Sequence, residues 1–327
     1  MSYRVAIIVP TLNEELYIFD CLNSIQKQTF PFGEMDVMIV DGGSKDRTRE
    51  IVSDYSLTYP NVRLLDNPGR IQSIAFNIGV ANSTAPFVVR LDAHALYDEH
   101  YVECCVDLLS KNPDYGNVGG VCQTLPKSKG LIPESIAILA KSTFGIGGTK
   151  FRVGCEAGPV DTVPFGAFRR ETIERIGGMR EDLPRAEDNE YNSRIHKYGY
   201  TVYLDPRIVS TYYARPNVKG ILKQMYNNGD SIGHLFYVDR AAIGLRHFVP
   251  FAFVMATIIT LIGGIFWKPL FYLFLCAIGL YFVVDICASL NASVKYGWKN
   301  FLVLPWLFFL VHIAYGWGTI VGIVNGK

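Results

Sequence analysis

Three short polar clusters combine carboxylates with residues that permit tight backbone turns. They are Pro10–Glu14, Asp41–Ser44 and Asp92–His94, and each follows an apolar, β-rich run. The third cluster brings a carboxylate and an imidazole, two residues apart, to the end of a further strand. Gly42 and Gly43 allow backbone to approach a ligand closely. Each cluster alone is consistent with an ordinary turn after a strand, but three at successive strand ends predict one binding site.

A pair of adjacent carboxylates, Glu187 and Asp188, is the fourth candidate. Acidic residues stabilise the first turn of a helix, because the helix dipole is positive there. The pair is therefore consistent with an ordinary helix start. A positioned carboxylate can also remove a proton as a general base. The residues alone favour the ordinary helix start.

The first part of the chain alternates apolar β-rich runs with amphipathic helical stretches. The predicted strands are Val5–Pro10, Asp36–Val40, Val62–Leu65, Pro86–Leu91, Val118–Cys122, Thr162–Arg169 and Thr201–Leu204. The predicted helices lie near 15–28, 46–57, 70–82, 99–111 and 189–197. We expect a long loop over 127–160. The alternation predicts an α/β fold with a mostly parallel sheet and helices on both faces, and ligands of such folds bind at the carboxyl ends of the strands.

Three long apolar segments occupy the last part of the chain, at about 248–267, 270–290 and 301–324. Residues 248–327 hold only five charged side chains. About 20 apolar residues span a bilayer, so these segments predict an all-α transmembrane region of three helices. Residues 217–247 precede them and are predicted to form amphipathic helices on the membrane surface.

Basic residues flank these segments unevenly, before the first and between the second and third: Arg240, Arg246, Lys295 and Lys299. The positive-inside rule places these residues on the cytoplasmic side. No run near the N-terminus is long enough for a signal peptide. The sequence thus predicts a multi-pass protein of the cytoplasmic membrane, with its N-terminal domain in the cytoplasm and its C-terminus outside.

Charge and cysteine content argue against a nucleic-acid-binding protein and against a disulfide-bonded one. The 327 residues carry 31 basic and 30 acidic side chains, without the basic excess typical of nucleic-acid-binding proteins. The seven cysteines are odd in number and include no C-x-x-C pair, so we expect reduced thiols.

Five motifs resemble those of the inverting glycosyltransferases of family 2, which have the Rossmann-like GT-A fold. They are Pro10-Thr-Leu-Asn-Glu14, Val40-Asp-Gly-Gly-Ser44, Leu91-Asp-Ala-His94, Val163-Pro-Phe-Gly-Ala-Phe-Arg169 and Arg185-Ala-Glu-Asp-Asn-Glu190. The resemblance covers residues 3–245 and is greatest to succinoglycan-type exopolysaccharide glucosyltransferases. It implies a GT-A catalytic domain over 1–216, followed by the interfacial helices of 217–247 and the transmembrane region of 248–327.

The resemblance implies a nucleotide-sugar donor, a UDP-sugar, bound together with Mn²⁺ or Mg²⁺. Asp41 would accept a hydrogen bond from uracil N3–H, and Asp92 would bind the metal as the first acid of the family's Asp-x-Asp motif. His94 replaces the second acid of that motif. It would ligate the metal, with Mn²⁺ favoured by an imidazole, or contact the phosphates, or simply cap the strand end. The other donor-site residues implied are Pro10, Thr11, Asn13, Glu14, Gly43, Arg70 and Asn77.

The resemblance also assigns the acceptor side of the site. Asp188 would be the base that deprotonates the acceptor hydroxyl, and Glu187 would orient it or contact the acceptor. A wall beside the acceptor, or an ordinary strand turn, would be formed by Phe165, Gly166, Ala167 and Arg169. Gln224 is also assigned to the acceptor side. It lies where processive members carry Gln-x-x-Arg-Trp, but that Arg and Trp are absent here, which argues against a processive synthase.

Together these features predict metal-dependent, inverting transfer of one sugar from UDP-glucose to a polyprenyl-diphosphate-linked saccharide, with a polysaccharide assembly complex as a possible partner. A polyprenyl-phosphate sugar synthase is an alternative, for which the available basic residues are Arg152, Arg169, Arg170 and Arg215. A non-catalytic nucleotide-sugar-binding membrane scaffold is another, favoured by the altered Asp-x-His motif. The catalytic interpretation requires Asp41, Asp92 and Asp188 to converge on one cleft.

Overall fold

The structure is a computed structural model that describes residues 3–146, 148–154 and 156–326. It divides into two compact units. The first unit contains the described residues up to Gln123 together with Gly154–Tyr212, and the second contains Thr124–Val153 and the residues from Tyr213 onward. This division differs from the predicted boundaries at 216 and 247, because an internal segment of the first 216 residues packs with the C-terminal helices. Cys155, one of the predicted reduced thiols, lies outside the described residues.

A mixed sheet forms the core of the first unit. Its strands are β1 (Val5–Thr11), β2 (Met35–Asp41), β3 (Val62–Asp66), β4 (Phe87–Arg90), β5 (Ala95–Tyr97), β6 (Tyr115–Pro126), β7 (Gly158–Pro159), β8 (Ala167–Arg169) and β9 (Thr201–Ala214). Their order is β3-β2-β1-β4-β8-β6-β9-β5, with β7 paired to β9. The first four strands are parallel neighbours, and β8 runs antiparallel to both β4 and β6.

Helices connect the strands and continue through the second unit. They are α1 (Ile18–Gln26), α2 (Thr48–Thr58), α3 (Gln72–Ala81), α4 (Tyr101–Lys111), α5 (Leu131–Lys141), α6 (Lys150–Val153), α7 (Arg170–Ile176), α8 (Glu187–Lys197), α9 (Val218–Val238), α10 (Leu245–Phe266), α11 (Lys268–Tyr296) and α12 (Leu304–Asn325). The predicted α/β fold with C-terminal helices is confirmed. The βα alternation predicts a mostly parallel sheet, and it did not indicate the antiparallel pairs β4–β8, β6–β8, β5–β9 and β7–β9.

Two local predictions over 127–169 were wrong. The expected loop contains α5, in which Ile132, Ile136 and Leu139 recur at helical spacing and the last two are fully buried. The strand predicted over Thr162–Arg169 forms only at its last three residues, because Phe165 has a φ of 48° and cannot lie in a strand.

Three helices of the second unit are long and apolar enough to cross a membrane: α10 with 22 residues, α11 with 29 and α12 with 22. In the structure, α11 continues beyond residue 290, the predicted end of the second apolar segment. Residues 291–296 include no Gly or Pro, and Gly297, with a φ of 119°, ends the helix.

Helix α9 packs along α12 with close backbone contact. A Cβ on Gly229 would lie 2.0 Å from the carbonyl oxygen of Tyr315, and one on Gly322 would lie 2.1 Å from that of Asp230. Small residues allow such close approach of helices in membranes. One face of the helix predicted to rest on the membrane surface is therefore occupied by α12.

Helix α5 is bonded to the turn between α11 and α12. Glu134 lies 2.6 Å from Lys299 Nζ, and the buried Ser135 hydroxyl donates to Asn300 Oδ1 at 2.9 Å. The apolar side of α5 joins Phe308 in a common hydrophobic core. These contacts explain why the internal segment belongs to the second unit.

Candidate active site

The three polar clusters lie at one edge of the sheet. Arg90, the last residue of β4, lies opposite Ile8 of β1, and Asp92 follows two residues later. At the end of β1, Thr11 lies opposite Asp41 of β2. Neighbouring parallel strands thus deliver Asp41 and Asp92 to the carboxyl edge, where ligands of α/β sheets bind.

Arg90 joins two parts of this edge. Its side chain is 5% exposed, and its Nη2 donates to Asp92 Oδ1 at 2.9 Å. Its Nη1 donates to Asp188 Oδ1, and Nη2 also lies 3.3 Å from Gln72 Oε1. One guanidinium therefore brings together the predicted metal ligand and the predicted base, which are far apart in the sequence.

Glu187 and Asp188 begin α8, directly after Ala186 in the left-handed conformation with a φ of 60°. Glu187 is buried, whereas the Asp188 side chain is 36% exposed. Burial, and then the adjacent Asp188 carboxylate, raise the pKa of Glu187 to about 7, against the opposing influence of Arg90. Adjacent carboxyl groups in such different environments are able to take different roles in proton transfer.

The Asp41 carboxylate is enclosed by hydrogen-bond donors. It accepts from the backbone N–H groups of Gly43 and Ser44, both at 3.0 Å, from the Ser44 hydroxyl, and from Arg49 Nη1 at 2.8 Å. Burial would raise the pKa of Asp41, but the hydrogen bonds from Ser44 and Arg49 lower it below its ordinary value. Asp41 is thus an ionised acceptor, and Gly43 permits the turn with a φ of 81°.

The loop after β1 is bonded to the loop after β2. Asn13 has a φ of 56°, its backbone N–H donates to Ser44 Oγ at 2.8 Å, and its Oδ1 accepts from Lys45 N at 2.9 Å. Glu14 N donates to Thr48 Oγ1 at 2.8 Å. These bonds hold the first two polar clusters against each other.

His94 pairs with Glu14 across the same edge. Its Nδ1 lies 2.9 Å from Glu14 Oε1, and its ring packs edge-on against Tyr17 and Tyr212. Metal-ligating histidines are commonly oriented by a carboxylate on the ring nitrogen that does not bind the metal. The pair is consistent with His94 as a ligand.

A divalent metal fits this edge if the bound substrate supplies most of the ligands of the metal. Within the described residues no group of three His, Cys, Asp or Glu side chains is arranged to hold a metal. Asp92 Oδ1 is bonded to Arg90, which leaves Oδ2 for another partner. Mg²⁺ in phosphate-transfer sites commonly uses one or two carboxylates together with phosphate and water oxygens. Asp92 meets that requirement, and His94 would add an imidazole nitrogen, a ligand that suits Mn²⁺ better than Mg²⁺.

Three further predicted donor residues lie at or near this edge. Thr11 is buried and its hydroxyl donates to Val9 O at 3.0 Å. Pro10 lies opposite Val40 in the sheet. Arg70 has a φ of 64°, and its Cα lies 3.4 Å from where a Cβ on Gly42 would be.

Asn77 is engaged elsewhere. Its Nδ2 donates to Met179 O at 2.8 Å and to Glu181 Oε1 at 2.9 Å, while its Oδ1 accepts from Met179 N at 2.9 Å. These bonds tie α3 to the segment after α7. They do not test the donor role of Asn77, which stays a prediction.

The predicted acceptor wall is only partly at the site. Gly166 O accepts from Arg90 N at 3.0 Å, and the strained Phe165 accepts from the Tyr101 hydroxyl at 2.6 Å. Ala167 is fully buried opposite Val89.

Arg169 lies at the other end of the short strand β8. Because β8 runs antiparallel to β4, it pairs with Phe87 at the amino end of that strand. Gln224 lies on α9 in the second unit, and its acceptor role stays a prediction.

Basic residues invoked for a phosphate acceptor are largely bonded to the protein. Arg169 Nη2 donates to Asn112 O at 2.9 Å, and Arg170 Nε donates to Ala85 O at 2.8 Å. Arg152 Nη1 donates to Thr124 Oγ1 at 3.1 Å. These contacts do not favour a bare phosphate acceptor at these arginines.

Comparison with known proteins decides the family. The family model described as glycosyl transferase family 2 matches residues 6–177. The chain belongs to glycosyl transferase family 2. This family 2 chain is therefore a glycosyltransferase.

Relatives of this family 2 chain match over most of its length. A dolichyl N-acetyl-alpha-D-glucosaminyl phosphate 3-beta-D-2,3-diacetamido-2,3-dideoxy-beta-D-glucuronosyltransferase of Methanococcus voltae is 26% identical over 99% of this chain and 98% of its own. The succinoglycan biosynthesis protein ExoA of Rhizobium meliloti is 32% identical over 75% of this chain and 74% of its own. Relatives of the chain thus act in glycan and polysaccharide biosynthesis.

Solved structures share the fold. The mannosyltransferase PcManGT of Pyrobaculum calidifontis, in complex with GDP-Man and Mn²⁺, aligns with a TM-score of 0.63 and 22% identity, over 100% of this chain and 88% of that one. Residues 1–349 of TarS from S. aureus, in complex with UDP, align with a TM-score of 0.51 and 15% identity, over 98% and 90%. Because both identities are low, the similarity shows a shared fold and nothing more.

The sequence motifs missed Arg90 and Gln72. Arg90 belongs to the strand that leads to Asp92, and a charged residue at the end of an otherwise apolar run is the only local indication of it. Charged side chains are almost never fully buried unless they are paired. That rule would have marked Arg90 as the partner of a remote acid, without saying which.

Proposed function

We propose that this glycosyltransferase transfers one sugar, with inversion, from UDP-glucose to a polyprenyl-diphosphate-linked saccharide. The observation that carries the proposal is the convergence of Asp92 and Asp188 on Arg90. A donor bound beside the first acid would present its anomeric carbon to an acceptor beside the second. Transfer between two substrates requires such an arrangement.

Inversion is a single displacement at the anomeric carbon. The acceptor oxygen bonds to that carbon while the bond to the diphosphate oxygen breaks, and the acceptor proton passes to the Asp188 carboxylate. Asp188 is the exposed member of the acidic pair and so is accessible to an acceptor. Glu187 is the buried member, and its raised pKa lessens the charge next to the base.

The donor would bind along the edge formed by the loops after β1 and β2. Asp41 is an ionised acceptor suited to the N3–H group of uracil. Its side chain is covered by Ser44 in this structure, so recognition of the base requires the Ser44 hydroxyl to rotate away. TarS in complex with UDP, a protein of similar fold, supports a uridine donor.

A divalent metal would be held by Asp92 and His94 together with the donor diphosphate. When bound, it would offset the negative charge that develops on the departing nucleoside diphosphate. The PcManGT complex with GDP-Man and Mn²⁺ supports a metal in a protein of this fold. It also makes GDP-mannose the donor against which UDP-glucose is best compared.

The acceptor follows from the membrane helices and the relatives. Three apolar helices would keep the enzyme at a bilayer, where a polyprenyl-linked saccharide is located. The name of the Methanococcus voltae relative contains a dolichyl-linked sugar phosphate as the acceptor. We place the catalytic unit on the cytoplasmic side, where nucleotide-sugars are made.

Turnover of Asp188→Asn tests the proposal. The full chain in lipid vesicles, supplied with polyprenyl-diphosphate saccharide and Mn²⁺ or Mg²⁺, should release UDP from UDP-glucose. Loss of the base should lower kcat by about 10²–10⁴-fold while binding of UDP-glucose, measured by calorimetry, persists. Asp182→Asn, a change in an exposed acid beside Arg180, is the matched control and should keep its rate.

The outcomes separate the candidates. Full transfer by Asp188→Asn would reject Asp188 as the base. Binding of UDP-glucose without transfer by the unaltered chain would favour the scaffold, and transfer only to a bare polyprenyl phosphate would favour the sugar-phosphate synthase.

A further inference from the structure

A buried arginine, Arg90, stands between the two acids of the site and takes no part in the bond changes and proton transfer described above. The Arg90 guanidinium bonds to Asp92 from its own segment and to Asp188 from the start of α8. Both acids are therefore placed by one rigid, planar group. A guanidinium forms such paired contacts because its donors project in a fixed fork.

Arg90 is itself fixed by its surroundings. Its backbone N–H donates to Gly166 O at 3.0 Å, and its side chain is supported by Gln72 Oε1 at 3.3 Å. Its Nε is buried and makes no hydrogen bond with any residue that the structure describes. An unpaired buried donor is destabilising, so the surroundings of Arg90 match its two terminal nitrogens, which bond Asp92 and Asp188, better than its Nε. The arrangement favours a role in placing Asp92 and Asp188.

We propose that Arg90 is a positioning residue that fixes the separation and orientation of Asp92 and Asp188, so that the donor and acceptor halves of the active site form one unit. This inference rests on the proposed function, because its consequence is a rate of sugar transfer. Small displacements of reacting groups slow a reaction strongly without abolishing substrate binding. Loss of Arg90 should therefore affect kcat far more than the KM for the donor.

Arg90→Lys and Arg90→Ala test this in the full chain in vesicles. Lysine keeps the charge but cannot bridge two carboxylates in one plane, so both variants should lose kcat by about 100-fold with the donor KM changed less than about threefold. Guanidinium ion added to Arg90→Ala should restore part of the rate. It should not restore Asp188→Asn, which lacks the base itself.

Arg63→Lys is the matched control. Arg63 forms a two-bond pair with the buried Asp36, at 2.9 and 2.8 Å, near the amino ends of β2 and β3. It is equally a buried-acid pair, but it lies away from the site. An equal loss of kcat in this control, or an unchanged kcat in Arg90→Lys, would overturn the inference.

Melting temperatures test the physical link without any transfer assay. If Arg90 couples the two acids, Asp92→Asn and Asp188→Asn should be non-additive in the unaltered chain and additive in Arg90→Ala. Additivity in both backgrounds would overturn the link. This cycle also decides the matter should the unaltered chain transfer no sugar, a result that would count against the proposed function instead.

Discussion

At the scale of single residues, the acidic pair at the start of α8 shows how environment divides roles between identical groups. Glu187 is buried and Asp188 is partly exposed, although they are neighbours in the chain. Burial disfavours the charged form, so the pKa of Glu187 is raised to about 7. Its protonation therefore changes near neutral pH.

The raised pKa of Glu187 predicts that stability depends on pH. A protonated buried Glu187 stabilises the fold fully below the ordinary pKa of an unfolded glutamate, about 4.3. That contribution is lost as pH rises through about 7, because the folded state must then bury a charge. Relative to Glu187→Gln, which is neutral throughout, the unaltered chain should lose roughly 2–3 kcal/mol between pH 5 and 8.

Thermal unfolding of both proteins in detergent at pH 5 and pH 8 measures this. The melting temperature of the unaltered chain minus that of Glu187→Gln should fall as the pH rises. A difference that stays constant or grows would mean that Glu187 is already ionised at pH 5.

Sequence motifs identified the acids proposed for the site, but they did not predict the contacts that position those acids. Asp92 and Asp188 belong to motifs that could be recognised locally. Their common partner Arg90 is found only through the pairing of β4 with the segment around Gly166 and with α8, contacts distant in sequence. The motifs likewise did not indicate that Asn77 bonds the backbone of Met179, a residue about 100 positions away.

At the scale of secondary-structure elements, tertiary packing settled structure that the spacing of apolar residues did not. The spacing of apolar residues in α5 was readable as a helix, but Gly130 and Pro133 favoured a loop. Pro133 is tolerated because it lies in the first turn, where backbone N–H groups have no helical partner. Likewise, the amphipathic pattern of α9 indicated a helix with one apolar face, yet it did not reveal that α12 covers that face.

The close packing of α9 on α12 predicts a sharp penalty for a side chain at Gly229. A Cβ there would lie 2.0 Å from the backbone oxygen of Tyr315, which cannot move without shifting the helix. Gly229→Ala should therefore destabilise the protein by about 1–3 kcal/mol. Gly279→Ala in α11 is the matched control, because a Cβ on Gly279 would meet no described atom within 4 Å.

Thermal unfolding in detergent distinguishes the two alanine variants. Gly279→Ala should be neutral or slightly stabilising, since alanine restricts an exposed helical backbone. Equal melting temperatures for the two variants would mean that α9 and α12 separate easily in the folded protein.

At the scale of the whole molecule, the contacts of α12 bear on how the chain crosses the membrane. Its last turns lie beside the end of α9, where the Tyr237 hydroxyl donates to Ile323 O at 2.8 Å. Only residues 239–244 then separate α9 from α10, and they include a tight turn in which Ala242 N donates to Asp239 O. The end of α12 is therefore near the beginning of α10, within less than about 24 Å of chain.

In three successive spans, α12 would run in the same direction as α10. Its C-terminal end would then lie beside the far end of α10, not beside the beginning. The 22 residues of α10 extend over about 33 Å, so its far end lies beyond the reach of that short connection. Contacts between the two helices are instead seen near the start of α10, where Gly316 meets Pro250 and Val254. The helix hairpin of α10 and α11 would then cross the bilayer, while α12 would cross the hairpin at an angle and pair with α9.

This geometry predicts a C-terminus on the cytoplasmic side, the side of Arg240 and Arg246, in place of the outside location expected from three spans. Cysteine introduced at Gly326, in a chain whose native cysteines are replaced by serine, should be shielded from a membrane-impermeant maleimide in intact cells and labelled after permeabilisation. Cysteine at Lys268, in the turn of the hairpin, is the matched control and should be labelled in intact cells, because the hairpin places that turn outside. Labelling of both positions in intact cells would show instead that α12 completes a third crossing, as apolar length alone suggests.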